Sequence, residues 1–429
     1  MIYVCSPRLA IALSIAILVA SPAWGQTTSD LEAKMAEARK LGLPLTPKDI
    51  QTSPIEDSQN GAVIVDQVVQ MLKSNQDDQK RLDLVAKAGQ SGSTSIDRST
   101  AILVFPHLKA EMDLLVSATE RATCRFSIDW THIFTSDDKP ITIIQDFIYA
   151  FCLQADELSS QGDTKGALTA IQNSNKLCRL LSGNPLRVTA AVELRCDLEV
   201  ERCFHRILVS HRRDVDFLSS AQKAHAAFGP IPDYRFAFKT QLLFALMYIE
   251  QLSSARAAGI GQQDMSEDEW NAVTTQDEKD IMKEHSLAAY IAFFSVLPEG
   301  NDRWPTVIEI ADHAFENLKA SSSELTKGAL RQLNGIDLFG WDFIVAGYAR
   351  DQGMRRMNDV SIHLLLDISK TGRAPDGLPD YGDIITDPFT GHRLEYEPSG
   401  KGFKLSTAGI SPLPGGGEYK PDIFSFDES

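Results

Sequence analysis

The chain has 429 residues, of which 43% are hydrophobic and 23% charged, a balance that excludes whole-chain disorder. Its 42 basic and 58 acidic side chains leave a formal charge of −16. No long basic block interrupts that acidity, so nucleic acid and anionic lipid are disfavoured as partners, because both demand clustered lysine and arginine.

Residues 1–25 have the layout of a cleavable signal peptide. Arg8 supplies the positive start, Leu9 to Ala20 form an uncharged apolar run, Pro22 breaks it, and Ala23-Trp24-Gly25 offers small residues at the cleavage position. A helix of that run would be about 18 Å long, against roughly 30 Å of bilayer hydrocarbon. Export to the periplasm or the extracellular space is therefore expected, with no transmembrane segment after cleavage. Five cysteines would remain: Cys124, Cys152, Cys178, Cys196 and Cys203. Export permits disulfides. Cys196 and Cys203 lie seven apart on one expected helix, about 10 Å along its axis, too far to bridge to each other.

Residues 26–60 are polar and turn-rich, with one helical stretch at Leu31 to Leu41, and read as a loosely attached arm. The compact body starts at 61–73. Over 140–160 the apolar residues Ile141, Ile144, Ile148, Phe151, Ala155 and Leu158 recur in steps of three and four, one face of a helix. Gly162-Asp163 then predicts a tight turn. A second helix carries Ala167, Ile171, Ser174, Cys178 and Leu181 on one face, and Ser182-Gly183-Asn184-Pro185 ends it. Further helices are expected at about 186–210, 233–256, 277–296, 304–319, 324–350 and 354–370. Ser266-x-x-Glu269 and Thr275-x-x-Glu278 fit capping boxes. Short connections between long amphipathic helices imply antiparallel neighbours.

After about 371 the composition shifts, and ten of the 27 glycines fall there. Arg393 to Glu397 and Phe403 to Ser406 read as two strands around a Pro-Ser-Gly-Lys-Gly connection. Two strands alone are marginal in water, so this tail is expected to dock on the preceding helix. Leu394, Tyr396, Phe403 and Leu405 would face Ile362, Leu365 and Leu366. The fold class is thus mostly α, stacked antiparallel helical hairpins with a small C-terminal β unit. Its divisions fall at 1–25 for the signal peptide, 26–60 for the arm, 61–370 for the helical body and 371–429 for the β unit.

Two stretches carry resemblances. Gly162-Asp163 followed by Ala167-Leu168 resembles the turn inside a tetratricopeptide-repeat hairpin, although no 34-residue period recurs. The tail string 378–409, with Pro379, Asp387-Pro388-Phe389, Gly391, Tyr396 and Ser406 to Gly409, resembles the C-terminal sheet of type II secretion major pseudopilins. The ending Pro421 to Asp427 resembles theirs too. This chain lacks the prepilin cleavage motif and the long polymerising helix, so the resemblance does not make it a pilin. In the family's calcium loop, Ser411 and Lys420 stand where acids are usual and Asp422 remains, so the resemblance implies no calcium site. With a helical body before it, the tail is also similar to a group of exported helical proteins of planctomycete-like bacteria to which no reaction is assigned.

Catalytic motifs are absent. The sequence holds no H-E-x-x-H, G-x-S-x-G, Walker or G-x-G-x-x-G motif. Cys196, Cys203, His205 and His211 form the densest metal-like group, but on a helix His205 points away from the two thiols, which leaves a surface imidazole beside buried cysteines. Asp312-His313 and Glu284-His285 are adjacent pairs whose side chains diverge by about 100° on a helix. Asp387 to Gly391 has the chemistry of a turn, and the Gly415-Gly416-Gly417 run that of a loop. No catalytic, cofactor-binding or metal residue is assigned on these grounds. The expectation is an exported non-enzymatic helical scaffold or binding protein, meeting another envelope protein through the β unit. The competing expectation is a hydrolase-type enzyme whose site is assembled from distant residues.

Overall fold

The structure is a computed structural model that describes residues 28–50, 55–90, 98–127, 139–182, 187–231, 233–252, 267–297, 304–310, 341–409 and 420–426. The expected signal peptide, the Gly415 run, Ser266 and Asp312-His313 lie outside them. So do 311–319 and 324–340 of two expected helices. The long helices are α1 (Thr28–Lys40), α2 (Gly61–Ser74), α3 (Gln76–Gly89), α4 (Lys109–Ala118), α5 (Lys139–Ser160) and α6 (Thr164–Leu181). They continue with α7 (Arg187–Ser210), α8 (Val215–Ala226), α9 (Tyr234–Glu250), α10 (Gln276–Val296) and α11 (Trp341–Thr371). A three-stranded antiparallel sheet closes the chain, and the protein is mostly α. The chain divides into two compact units, one drawn from 1–52 and 238–342, the other from 53–237 and 343–429.

In the first unit α1 packs on α10. Gly42, at φ +66°, lets the chain turn back so that Leu43 N–H reaches the Ala38 carbonyl at 3.0 Å. Ala38, Leu43 and Leu45 are buried by that turn. Thr275 caps α10 by accepting from the Glu278 N–H at 3.3 Å, the capping residue expected there.

The second unit is built on the α5–α6 hairpin. Gly162 adopts φ +81°, which a Cβ would strain. The Asp163 N–H returns to the Leu158 carbonyl at 2.9 Å, and the Asp163 carboxylate accepts from the Gly166 N–H at 2.9 Å. The turn therefore closes one helix and caps the next. α7 packs against both members of the hairpin, and α3 lies against α5. α8 has no counterpart among the expected helices. Asp214 caps it through the Phe217 N–H at 2.9 Å, and Phe217, Leu218 and Ala221 are buried. Its twelve residues are too few for the period to stand out.

Gly89 sets the approach of α3 to α5. A Cβ there would sit 2.1 Å from the Tyr149 carbonyl oxygen and 2.7 Å from its carbon. Both atoms are backbone, so neither yields by a rotamer change. Gly89→Ala is expected to cost about 3 kcal/mol, the upper end of overpacking. Gly377→Ala meets nothing within 4 Å and is the matched control. Chemical unfolding of the two variants checks this, and equal midpoints would refute the close approach.

α11 runs unbroken through 351–353, where two helices had been expected. Gly353 does not end it. Instead the missing side chain admits the tail, since a Cβ would be 3.0 Å from Thr407 Cγ2. The tail forms β1 (Glu395–Ser399), β2 (Gly402–Ser406) and β3 (Ile423–Phe426), in that order across the sheet. Tyr396 opposes Leu405, and Leu405 opposes Phe424. The third strand was not expected, and β1 sits two residues later than expected because Gly400, at φ +61°, makes the turn immediately after Ser399. β2 is the central strand, and Phe403, Leu405, Phe424, Phe426 and Leu394 join one core with Met354, Met357, Val360, Ile362 and Leu365 of α11. α7 shares the receiving surface, since the His205 ring stacks on Phe424 with centroids 3.7 Å apart.

Candidate functional site

The chemically richest place in the molecule is a charged network inside the second unit. α7 carries Glu193, Asp197 and Glu201 at four-residue steps, a single stripe. On a free helix such like charges repel. Here they are buried at 3, 1 and 0% exposure, and Asp351 of α11 faces them at 0%. Two arginines and one histidine supply the opposite charge. Arg179 of α6 pairs with Glu193 at 3.2 Å and also with Asp197. Arg355 of α11 lies 3.3 Å from Glu201, 3.6 Å from Asp351 and 3.7 Å from Asp197, and donates to the Gly229 carbonyl at 2.6 Å. Ser182 donates to Glu193, and Asn358 to Glu201 at 2.8 Å.

His225 of α8 is held between two acids. Its Nε2 is 2.9 Å from Glu201 and its Nδ1 2.7 Å from Asp359, so both nitrogens donate and the ring is an imidazolium. Burial by itself would lower its pKa, but the Glu201 charge and the Asp359 hydrogen bond outweigh that and raise it to about 10. Phe204 stacks on the ring at 4.7 Å. Burial would likewise raise Glu201, yet the charge of His225 and its hydrogen bonds bring it below the ordinary value.

Glu193 and Asp351 behave oppositely. Burial drives each up to about 8 against the pull of its arginine, with the Asp197 charge adding to the rise. Both Asp351 oxygens and Asp197 Oδ2 lack a hydrogen-bond partner among the described residues. Four buried carboxyls and Asp359 thus face three cations, and protons on Glu193 and Asp351 balance the count. Raised carboxyl pKa values are a mark of acid–base sites. These groups, however, point at one another.

The open cavities lie elsewhere. A groove of about 780 Å³ runs between α4, α5 and α6, with Met112, Val116, Phe151 and Leu158 in its lining. Its two acids are already engaged, Asp113 with Lys109 at 2.6 Å and Asp163 as the cap of α6. No histidine, cysteine or serine lines it. A second cavity, about 490 Å³, is lined by Lys73, Lys80, Lys139, Thr142 and Asp146. Burial raises Asp146 to about 7, with the Asp83 charge adding.

The residues singled out in the sequence are dispersed. Cys196 and Cys203 are wholly buried, whereas His205 turns to the sheet and His211 bonds Ser159 at 2.9 Å. His205 was expected at the surface. It is half-buried under β3, and burial lowers its pKa to about 4. Glu284 pairs with Lys34 at 3.5 Å while His285 is buried, so that pair diverges. Asp387 accepts from the Phe389 N–H at 2.8 Å and the Ala408 N–H at 2.6 Å, with Gly391 at φ +71° completing the turn. Asp422 is gripped at both oxygens by the Arg350 guanidinium, at 2.6 and 2.5 Å. Among the described residues no three His, Cys, Asp or Glu side chains converge as metal ligands.

The charged network was missed in the sequence. Its available signal was the Glu193, Asp197, Glu201 stripe, which requires cations from elsewhere once buried. No protein-family model, curated protein or solved structure matches this chain.

Proposed function

We propose that this chain is an exported, non-enzymatic helical scaffold or binding protein of the cell envelope, with a pseudopilin-like tail that meets another envelope protein. One observation carries the reading: the titratable network and the open groove between α4, α5 and α6 are separate. The network's carboxyls are buried and paired across helices. The groove has a volume suited to binding and a partly apolar lining, and no histidine, cysteine or serine lines it. β1 supports the partner surface. Among the described residues it is an edge strand with a neighbour on one side only, and Glu395, Glu397, Pro398 and Ser399 are exposed. Among the described residues no helix is long and apolar enough to cross a membrane.

A photo-crosslinking residue at Glu397, in the full chain expressed in a Gram-negative host, tests this. The expected result is a discrete adduct from position 397, absent with the same label at exposed Asp216 on α8, on protein whose N-terminus is Gln26. Adducts from neither position, or equally from both, would refute the edge. An intact Met1 on folded protein would refute export.

Asp146 favours a second reading. It is a carboxyl with a pKa of about 7 in a lysine-lined cavity, as a general acid or base requires. A hydrolase activity abolished by Asp146→Asn would replace the scaffold reading with the enzyme.

A further inference from the structure

Three lysines meet at one cavity in the second unit. Lys73 comes from the last turn of α2, Lys80 from α3 and Lys139 from the first residue of α5, and together they line the space of about 490 Å³ that also holds Asp146. α2 and α3 pack on each other and each packs on α5, so it is the fold that gathers these charges. The arrangement is costly in two ways. Like charges around one space repel. Lys139 also stands at the positive end of the α5 dipole, and the first turn of α5 contains no acidic residue. Asp146 offsets little of this, because burial pushes its carboxyl up to about 7. Asp77, 3.4 Å from Lys80, forms an exposed pair and is not part of the lining. Each ammonium carries three N–H donors, so a lysine that already bonds a protein acceptor still has donors for a ligand.

We propose that this cavity binds a small organic phosphate, with the phosphate among Lys73, Lys80 and Lys139 and the carbon body against Val69, Leu72 and Ile143. Three cations favour a phosphate over a carboxylate, because a phosphate monoester carries nearly two negative charges at neutral pH and a carboxylate only one. Compact ammonium groups reaching in from separate helices suit a tetrahedral group approached from several sides. The start of α5 adds the favourable end of its dipole and its unpaired first N–H groups. The remaining wall is apolar, since Val69, Leu72 and Ile143 line the same space, and inorganic phosphate alone would leave it uncovered. A volume of this size suits a small-molecule ligand. The hydrolase reading places Asp146 in this same cavity, but binding is measured without turnover and stands apart from it.

Isothermal titration calorimetry of the full chain with phenyl phosphate, in a phosphate-free buffer at about pH 7.5, tests the site. A single equivalent is expected to bind, more tightly than inorganic phosphate, benzoate or phenol, and added sodium chloride should weaken it by screening. Lys80→Met and Lys139→Met should each weaken binding by about tenfold, the loss of one charge-assisted hydrogen bond, and the two together by more. Lys109→Met, in the lining of the other groove, should leave the affinity unchanged. All three lysines are exposed, so these variants are expected to fold, which matching unfolding midpoints verify. Asp146→Asn should bind phenyl phosphate at least as tightly as the parent, whereas it would abolish a hydrolysis that used this carboxyl. No binding of phenyl phosphate at millimolar concentration would overturn the proposal. So would equal binding of benzoate or phenol, or equal affinity in the parent and the double lysine variant. The ranking of the four probes on wild-type protein decides even where a variant fails to fold.

Discussion

Stability of the larger unit is expected to fall as pH rises from about 5 to 8.5, the range in which many folded proteins are near their optimum. The folded pKa of Glu193 rises from 4.5 to about 8, and that of Asp351 from 3.8 to about 8, chiefly through burial. A group raised in this way holds its proton in the folded chain after the unfolded chain has released it. Its contribution is complete below the unfolded value, declines as pH rises, and is gone once pH has passed the folded value. Each retained proton tilts stability by about 1.4 kcal/mol per pH unit. His225, raised from 6.5 to about 10, extends the decline above neutrality. Glu201 works in the other direction: its lowered pKa gives stability present above its unfolded value of 4.5 and lost as pH falls below that. Urea midpoints at pH 5.5, 7.0 and 8.5 measure the effect. Asp351→Asn keeps the neutral form permanently and should flatten the profile. A midpoint that stays level across that range, or an Asp351→Asn variant that declines as steeply as the parent, would show that the protons are not held there.

Arg355→Ala is the single substitution expected to cost the network most. The guanidinium is the cation common to Asp197, Glu201 and Asp351, all buried, and it also ties α11 to the Gly229 carbonyl. Its removal leaves the buried network one positive charge short, which costs about 3–5 kcal/mol. Arg235→Ala offers the contrast. Its ion pair with Asp233 is solvent-exposed, and such pairs contribute about 0–1 kcal/mol. Unfolding of the larger unit should therefore shift strongly for Arg355→Ala and little for Arg235→Ala. Similar midpoints for the two variants would mean that water, rather than Arg355, compensates the acids.

Helical period, caps and turns were legible in the sequence. The steps of three and four from Ile141 to Leu158 placed α5 within a residue or two, and Gly162-Asp163 placed its turn. Such features arise from contacts between residues a few positions apart, so local sequence contains both members of each interaction. The tail was half legible. β2 and the glycine turn before it were readable, but β3 was not, because its pairing partner on β2 and its cover on α7 are distant in the chain.

Period and turn chemistry, acting through short-range sterics and backbone hydrogen bonding, determined by themselves that this chain is mostly α with a β-containing end. Tertiary structure alone decided which charges share the interior. Glu193, Asp197 and Glu201 look like an exposed acidic stripe until Arg179 arrives from one helix and Arg355 from another far along the chain. The same holds for Gly353, which reads as a helix break and instead continues α11 to admit Thr407. A buried charge is tolerated only beside its counter-charge, and a missing side chain matters only through what fills its place. Both depend on neighbours that the linear order of residues does not bring together.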